Sequence, residues 1–223
     1  MRPSLIRLSN AGLLVAALAG CDPGNVYRDF SVDAFDIDRT EVTVQAYAAC
    51  VKAGACTKPR DATFGDDYRA CTWGVAGAEQ HPINCVSWTE AEQYCSWQKK
   101  RLPTAPEWLL AALGTDGREY PWGSAPSTDM CTATRGGCEV GSHPHDRSPS
   151  GALDMAGSVS EWTATSEQDW YGSDNHDDIH IVLGAGSKPR VEWGHHIWNG
   201  SRDVDTEADP GIGFRCARDS TTP

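Results

Sequence analysis

The groups in this chain with chemistry to offer are nine cysteines, seven histidines and 31 acidic residues, and their spacing sorts them into sets. No CxxC pair occurs, so the cysteines do not read as a zinc site. His176 and His180 lie in "HDDIH" among Asp174, Asp177 and Asp178, and His195 and His196 follow in "GHHIW". Histidine beside carboxylate suits iron, zinc or copper(II). The default for histidines in loops, however, is an exposed or hydrogen-bonding role. His143 and His145, in "SHPHD", read as turn residues. Ser187, His195 and an aspartate would name a hydrolase triad, but no G-x-S-x-G elbow accompanies them. Carboxylates are too numerous for any two to stand out as an acid–base pair.

Residues 184–198, "GAGSKPRVEWGHHIW", mix reactive and adhesive side chains and contain no cysteine. Ser187, Lys188, Arg190, Trp193, His195, His196 and Trp198 would line a cleft. Aromatic planes beside cationic and hydrogen-bonding groups grip a peptide or a glycan well. Trp193 and Trp198 would serve equally well as core residues.

The N-terminus reads as a sorting address. Arg2 and Arg7 precede or flank the start of an apolar stretch whose run "AGLLVAALAG" is too short to span a bilayer permanently but suits an export signal. It ends in "LAGC", a small pair before a cysteine, as in a bacterial lipobox. The expected organisation is a lipoprotein signal peptide over 1–20, a tether over 21–34 starting at a lipid-bearing Cys21, a domain over 35–219 and a tail over 220–223. The expected location is the bacterial cell envelope, facing the periplasm or the outer surface. Without its leader the chain has 17 basic against 31 acidic residues, a net charge of −14. Such a surface repels nucleic acid and anionic lipid, so membrane attachment would come from the acyl chains alone.

Setting Cys21 aside leaves Cys50, Cys56, Cys71, Cys85, Cys95, Cys131, Cys138 and Cys216, an even set that in an exported chain predicts four disulfides. Spacing suggests local loops for Cys50 with Cys56 and Cys131 with Cys138 and leaves the other pairings open.

The elements that must hold these groups are unevenly marked. In "FDID", Phe35 and Ile37 alternate with Asp36 and Asp38 as in a half-buried strand. Thr43 can cap a helix with Val44, Tyr47, Ala48 and Val51 on one face, stopped by Gly54. Thr89 and Glu92 predict a capping box for a second helix, whose end Lys99, Lys100 and Arg101 would suit. Thr104 and Glu107 predict another, with Pro106 in the first turn and Gly114 at the end. From 115 to 181 the chain is rich in Gly, Ser, Asp and Pro, and predicts short strands only.

Six segments in order, "FDIDRTEVTVQAYAACV", "HPINCVSWTEAEQYCSWQKKRLPTAPEWLLAA", "YPWG", "SGALDMAGSVSEWT", "GAGS" and "GFRCAR", resemble the formylglycine-generating enzyme (sulfatase-modifying factor) family over roughly residues 35–218. The resemblance implies an irregular, loop-rich, disulfide-stapled α/β fold, distantly like the C-type lectins. It implies a disulfide between Cys95 and Cys216, which with the local pairs leaves Cys71 for Cys85. It also implies a structural calcium in "LDMAGSVSEW", held by the side chains of Asp154 and Glu161 and the carbonyls of Gly157 and Val159. That chemistry is sensible, because calcium takes roughly six to eight oxygens and accepts carbonyls beside carboxylates. A second calcium site would fall near Asp129 and Met130. The family's usual Asn and Trp are replaced here by Ser158 and Ser160.

The family's cysteine oxidases hold copper between two thiolates placed three and eight positions after the Ser of a "GGS" motif, and soft thiolates are apt ligands for Cu(I). Matching that Ser to Ser187 puts Arg190 and His195 at the two thiolate positions and Lys188 where Trp is usual. The 27 residues from Ser187 to Phe214 match the family's usual spacing, so no insertion disturbs the count. Copper-dependent oxidation of a peptide cysteine is therefore not expected, and no catalytic residue is assigned beyond the candidates Ser187 and His195. Iron held by histidines is the alternative, since the family includes nonhaem-iron sulfur oxidases. In those that act on histidine betaine, an additional N-terminal helical domain supplies most iron ligands, and no counterpart to it is recognised here. The expectation is an envelope module that binds a peptide, a protein or a glycan, with a histidine-dependent oxidoreductase as the alternative.

Overall fold

A computed structural model describes residues 4–8, 14–16, 28–30, 32–59, 71–116, 118–125, 127, 129–131, 137–171, 179–184, 201–204 and 209–220. Strand β1 (Leu5–Leu8) pairs antiparallel with β4 (Phe35–Asp38), which pairs on its other side with β9 (Ala217–Asp219). Strands β2 (Leu14–Ala16) and β3 (Arg28–Phe30) form a separate antiparallel pair. The larger sheet runs in the order β7 (Ser201–Val204), β6 (Ile179–Leu183), β5 (Ser160–Ser166), β8 (Ile212–Gly213). Its β5–β8 contact is parallel and the others antiparallel. Helices α1 (Val44–Lys52), α2 (Trp88–Trp97), α3 (Ala105–Leu113) and α4 (Glu167–Tyr171) complete the described elements with one 3-10 turn, Pro144–Asp146. The domain is thus mixed α/β and loop-rich, as expected. No described helix is long and apolar enough to cross a membrane.

Local chemistry explains the helix starts. Thr43 caps α1 by accepting from the Ala46 N–H at 3.1 Å, and Gly54 follows the helix at φ 71°, a conformation that other residues resist. Thr104 and Glu107 form the expected capping box on α3, with Pro106 in its first turn and Gly114 as C-cap. For α2 the box lies two residues earlier than expected. Ser87 and Glu90 make it, not Thr89 and Glu92. Ser87 has the extended backbone a cap needs, whereas Thr89 already lies within the first turn. The three cations after α2 also fall beyond its last turn. Lys100 pairs with Asp38, and Arg101 forks onto Glu107 at 2.7 Å on both nitrogens while reaching Asp219. They pin the helices to β4 and β9.

The β4 alternation is corrected too: all four residues are buried. Asp36 is held by Arg7, Arg218 and Ser220, and Asp38 by Lys100 and the Cys216 N–H. A buried carboxylate persists when cations and N–H donors replace its water. Burial still raises the Asp38 carboxyl's pKa despite Lys100.

Two apolar clusters form the interior. One gathers Phe35, Ile37, Trp108, Leu109, Met155 and Ile181, with Ile6 and Leu8 packed against it. The other centres on Tyr47, Tyr94, Trp162 and Phe214, where Tyr47 and Tyr94 stack at 5.6 Å and both meet Phe214 edge-on. Val32 joins the first cluster and Ser220 donates its N–H to the Ala34 carbonyl, so packing reaches residues assigned to the tether and the tail.

The four disulfides are Cys50–Cys56, Cys71–Cys85, Cys95–Cys216 and Cys131–Cys138. They include both pairs suggested by spacing and the pair implied by the resemblance. Every cysteine except Cys21 is used, which marks an oxidising, exported compartment.

Candidate functional site

The turn in "LDMAGSVSEW" leads into β5, and residues 152–159 are all buried. Asp154 and Ser158 adopt left-handed backbone, at φ 62° and 66°. Gly157 must be glycine for a different reason. A Cβ there would lie 2.5 Å from the Cys131 carbonyl oxygen, which also accepts from the Ser158 N–H at 3.2 Å. The turn therefore meets Cys131 backbone to backbone.

Glu161 follows in β5, wholly buried, and faces an equally buried Arg215. Arg215 donates from Nε to Glu161 Oε2 and from Nη2 to Oε1, each at 2.7 Å, and Trp108 Nε1 adds a bond to Oε2 at 2.8 Å. The rest of the guanidinium donates to the carbonyls of Asp38, Arg39 and Leu153. Burial works against the arginine's charge, but Glu161 outweighs it and raises the pKa further. This bidentate pair joins the strand after the turn to the C-terminal "GFRC" segment.

Beside it lie three more buried acids with too few partners. Neither Glu41 carboxylate oxygen receives an N–H or hydroxyl donor, and the carboxyl lies within hydrogen-bonding reach of that of Asp154. Asp154 accepts from the Gly141 N–H at 2.6 Å through Oδ2, while its Oδ1 is buried without a partner. Asp146 accepts from the Asp154 N–H through Oδ2 and leaves its Oδ1 unpartnered. Burial, then the charge of Asp154, raises the Glu41 pKa well above the usual carboxylate range. Asp154 is raised by burial, and Asp146 is pushed up to about 7 by burial and by Asp154.

Buried acceptors short of donors call for protons or a cation. Of the four residues that the family resemblance gives to calcium, Asp154 offers such an oxygen. Glu161 is already neutralised by Arg215, and the acceptors in need of charge belong to Glu41 and Asp146. Among the described residues no three His, Cys, Asp or Glu side chains converge as a metal cluster, so backbone carbonyls would have to complete any coordination shell.

The pH dependence follows from the raised acids. Their folded-state pKa lies above the unfolded value, so the folded chain holds protons that the unfolded chain releases. Stability is then greatest below about pH 4 for this group and falls as pH rises toward 7. Calcium-free protein is expected to melt several degrees lower at pH 8 than at pH 5, with Asp146→Asn flattening the difference. Added calcium should raise the pH 8 midpoint if it binds here. Differential scanning calorimetry at the two pH values, with calcium or chelator, reads both effects.

The cysteine-free segment is only framed by the described structure. Gly184, at φ 97°, ends β6, and its carbonyl accepts from Ser160 Oγ at 3.1 Å. Ser187, Lys188, Arg190, Trp193, His195, His196 and Trp198 lie outside the described residues, as do His176 and Cys21. His180 is described and corrects an expectation. It sits buried in β6, not in a loop, with its ring stacked on Trp88 at 4.0 Å. His143 and His145 flank Pro144 in the 3-10 turn, in keeping with turn chemistry.

The chain is thus a loop-rich α/β domain, stapled by four disulfides and tied by a buried Glu161–Arg215 pair between "SEW" and "GFRC". The family model of the sulfatase-modifying factor enzyme 1-like domain matches residues 16–220, and the chain belongs to that family. The inactive C-alpha-formylglycine-generating enzyme 2 of Bos taurus is 30% identical over 168 residues, 67% of this chain and 54% of that one. The hercynine oxygenase of Mycobacterium tuberculosis is 41% identical over 101 residues, 41% of this chain and 23% of that one. The structure of PvdO from Pseudomonas aeruginosa superposes with a TM-score of 0.71 at 21% identity, covering 98% of this chain and 95% of its own, and shares the fold. The chain spans about half the length, or less, of these curated relatives.

Proposed function

We propose that this chain is a lipid-anchored envelope protein whose sulfatase-modifying-factor domain no longer oxidises cysteine and instead binds a peptide, a protein or a glycan. The observation that carries the reading is the cysteine count. Eight cysteines are consumed by disulfides, the ninth is Cys21, and matching Ser187 to the family motif puts Arg190 and His195 at the positions of the copper-binding thiolates. No thiolate pair is then left to hold Cu(I). Similarity to a relative named inactive supports the same direction. The ligand would meet Ser187, Lys188, Arg190, Trp193, His195, His196 and Trp198. Lipid on Cys21 would supply the only membrane contact, and the acidic surface argues against nucleic acid.

Calcium belongs to this proposal as a structural ion. Asp154 with the carbonyls of Gly157 and Val159 would hold it, while Glu161, the fourth residue that the resemblance assigns, stays with Arg215 and Trp108. The ion would supply positive charge to the acids around Glu41. A second reading, a histidine-dependent iron oxidoreductase, is favoured by the 41% identity to hercynine oxygenase and by His195 at a former ligand position. The experiment that separates them is turnover of a cysteine peptide by the mature chain, with its metal content measured alongside. Calcium alone and no turnover fit the binding module; iron or copper lost on His195→Ala fits the oxidoreductase.

A further inference from the structure

The outer edge of β4 is occupied by a segment that the lipoprotein reading removes. Leu5–Leu8 pairs with Asp38–Phe35 in antiparallel register, and the ladder extends through the Arg39 N–H to the Ser4 carbonyl at 3.0 Å. Ile6 and Leu8 lie opposite Ile37 and Phe35 and pack on the apolar cluster they share. Arg7, on the other face, meets the buried Asp36 at 3.1 Å. Cleavage before Cys21 leaves this edge with free backbone donors and acceptors, two apolar contacts uncovered and Asp36 short of one cation. An open edge is a template for another strand.

We propose that in the mature lipoprotein the β4 edge is a strand-acceptor site for an extended segment of a partner protein that alternates apolar, basic and apolar residues. The chain's own Ile-Arg-Leu, seated there, defines the shape and charge that fit. The net charge of −14 on the mature chain draws a basic segment to it. The proposal rests on the lipoprotein reading, since an uncleaved leader keeps the edge filled.

The test uses the processed, lipid-bearing chain in detergent and a labelled synthetic peptide, SLIRLS, as the probe. Variation is confined to the peptide, so folding of the protein is never at issue. Saturable binding is expected, with new hydrogen-exchange protection at 35–39. A charge-reversed peptide, R7E, should bind roughly ten-fold more weakly, and the I6S/L8S peptide should lose binding. Absent binding, equal binding of all three peptides, or amides at 35–39 already protected in the free processed chain by its tether or a second copy would overturn the proposal. Mass spectrometry separates the two layers. A chain that still carries residues 1–20 overturns the lipoprotein reading and this proposal together, whereas a processed chain that ignores the peptide overturns this proposal alone.

Discussion

Arg215→Met is expected to lower the stability of the domain by about 3–5 kcal/mol, the range seen when one member of a buried ion pair is removed. Five bonds to acceptors end at this guanidinium: two to Glu161 and one each to the carbonyls of Asp38, Arg39 and Leu153. The substitution leaves the Glu161 carboxylate wholly buried with Trp108 as its one remaining side-chain donor among the described residues. It also adds one more uncompensated acid to Glu41, Asp154 and Asp146, whose fields already reach Arg215. The double variant Arg215→Met with Glu161→Leu should recover part of the loss, because the stranded charge goes with its partner. Urea unfolding monitored by tryptophan fluorescence measures it, as a shift of midpoint with unchanged slope. Equal stability of the single variant and the parent would show that the pair does not organise the turn.

Replacing Cys95 and Cys216 together with alanine is expected to cost about 4–5 kcal/mol, by the loop-closure argument for so long a loop. The bridge spans 121 residues and joins α2 to the start of β9 within the cluster containing Tyr94 and Phe214. Cys50–Cys56 closes only 6 residues, where the same argument gives about 2 kcal/mol. Thermal unfolding of the two double variants should therefore rank them clearly. A ranking reversed, with the short loop mattering more, would mean that native packing around Cys50 outweighs chain entropy.

How much of this was legible in the sequence depended on how far apart the partners lie. Thr43, Thr104 and Glu107 announce helix starts because a cap and its target are three residues apart. The α2 start was misplaced because Ser87 with Glu90 and Thr89 with Glu92 both carry the capping spacing, and the backbone entering α2 makes the choice. Asp36 looked like an outward residue because its cations, Arg7 and Arg218, are 29 and 182 residues away. The same distance hid the role of Arg215, which sits 54 residues from Glu161. His180 read as a loop residue because its neighbours in "HDDIH" are acidic, while in the fold it lies in β6 between β5 and β7 and stacks on Trp88 of α2. The disulfide pairs suggested by spacing were those with the shortest loops; the long pair needed the motif resemblance, since nothing local links Cys95 to Cys216. Of the acid group around Glu41, Asp154 was marked through the motif resemblance, whereas Glu41 and Asp146 lie outside that motif and are ordinary residues in so acidic a chain.

The most direct test of the proposed function is oxidation of a cysteine-containing peptide by the purified mature chain, supplied with copper(I) and oxygen and followed by mass spectrometry. The absence of a thiolate pair predicts no conversion of the peptide cysteine to formylglycine, and no free thiol on the chain itself. Conversion that depends on the added metal and disappears in His195→Ala would contradict the proposal and make this domain an oxidase with a rebuilt metal site.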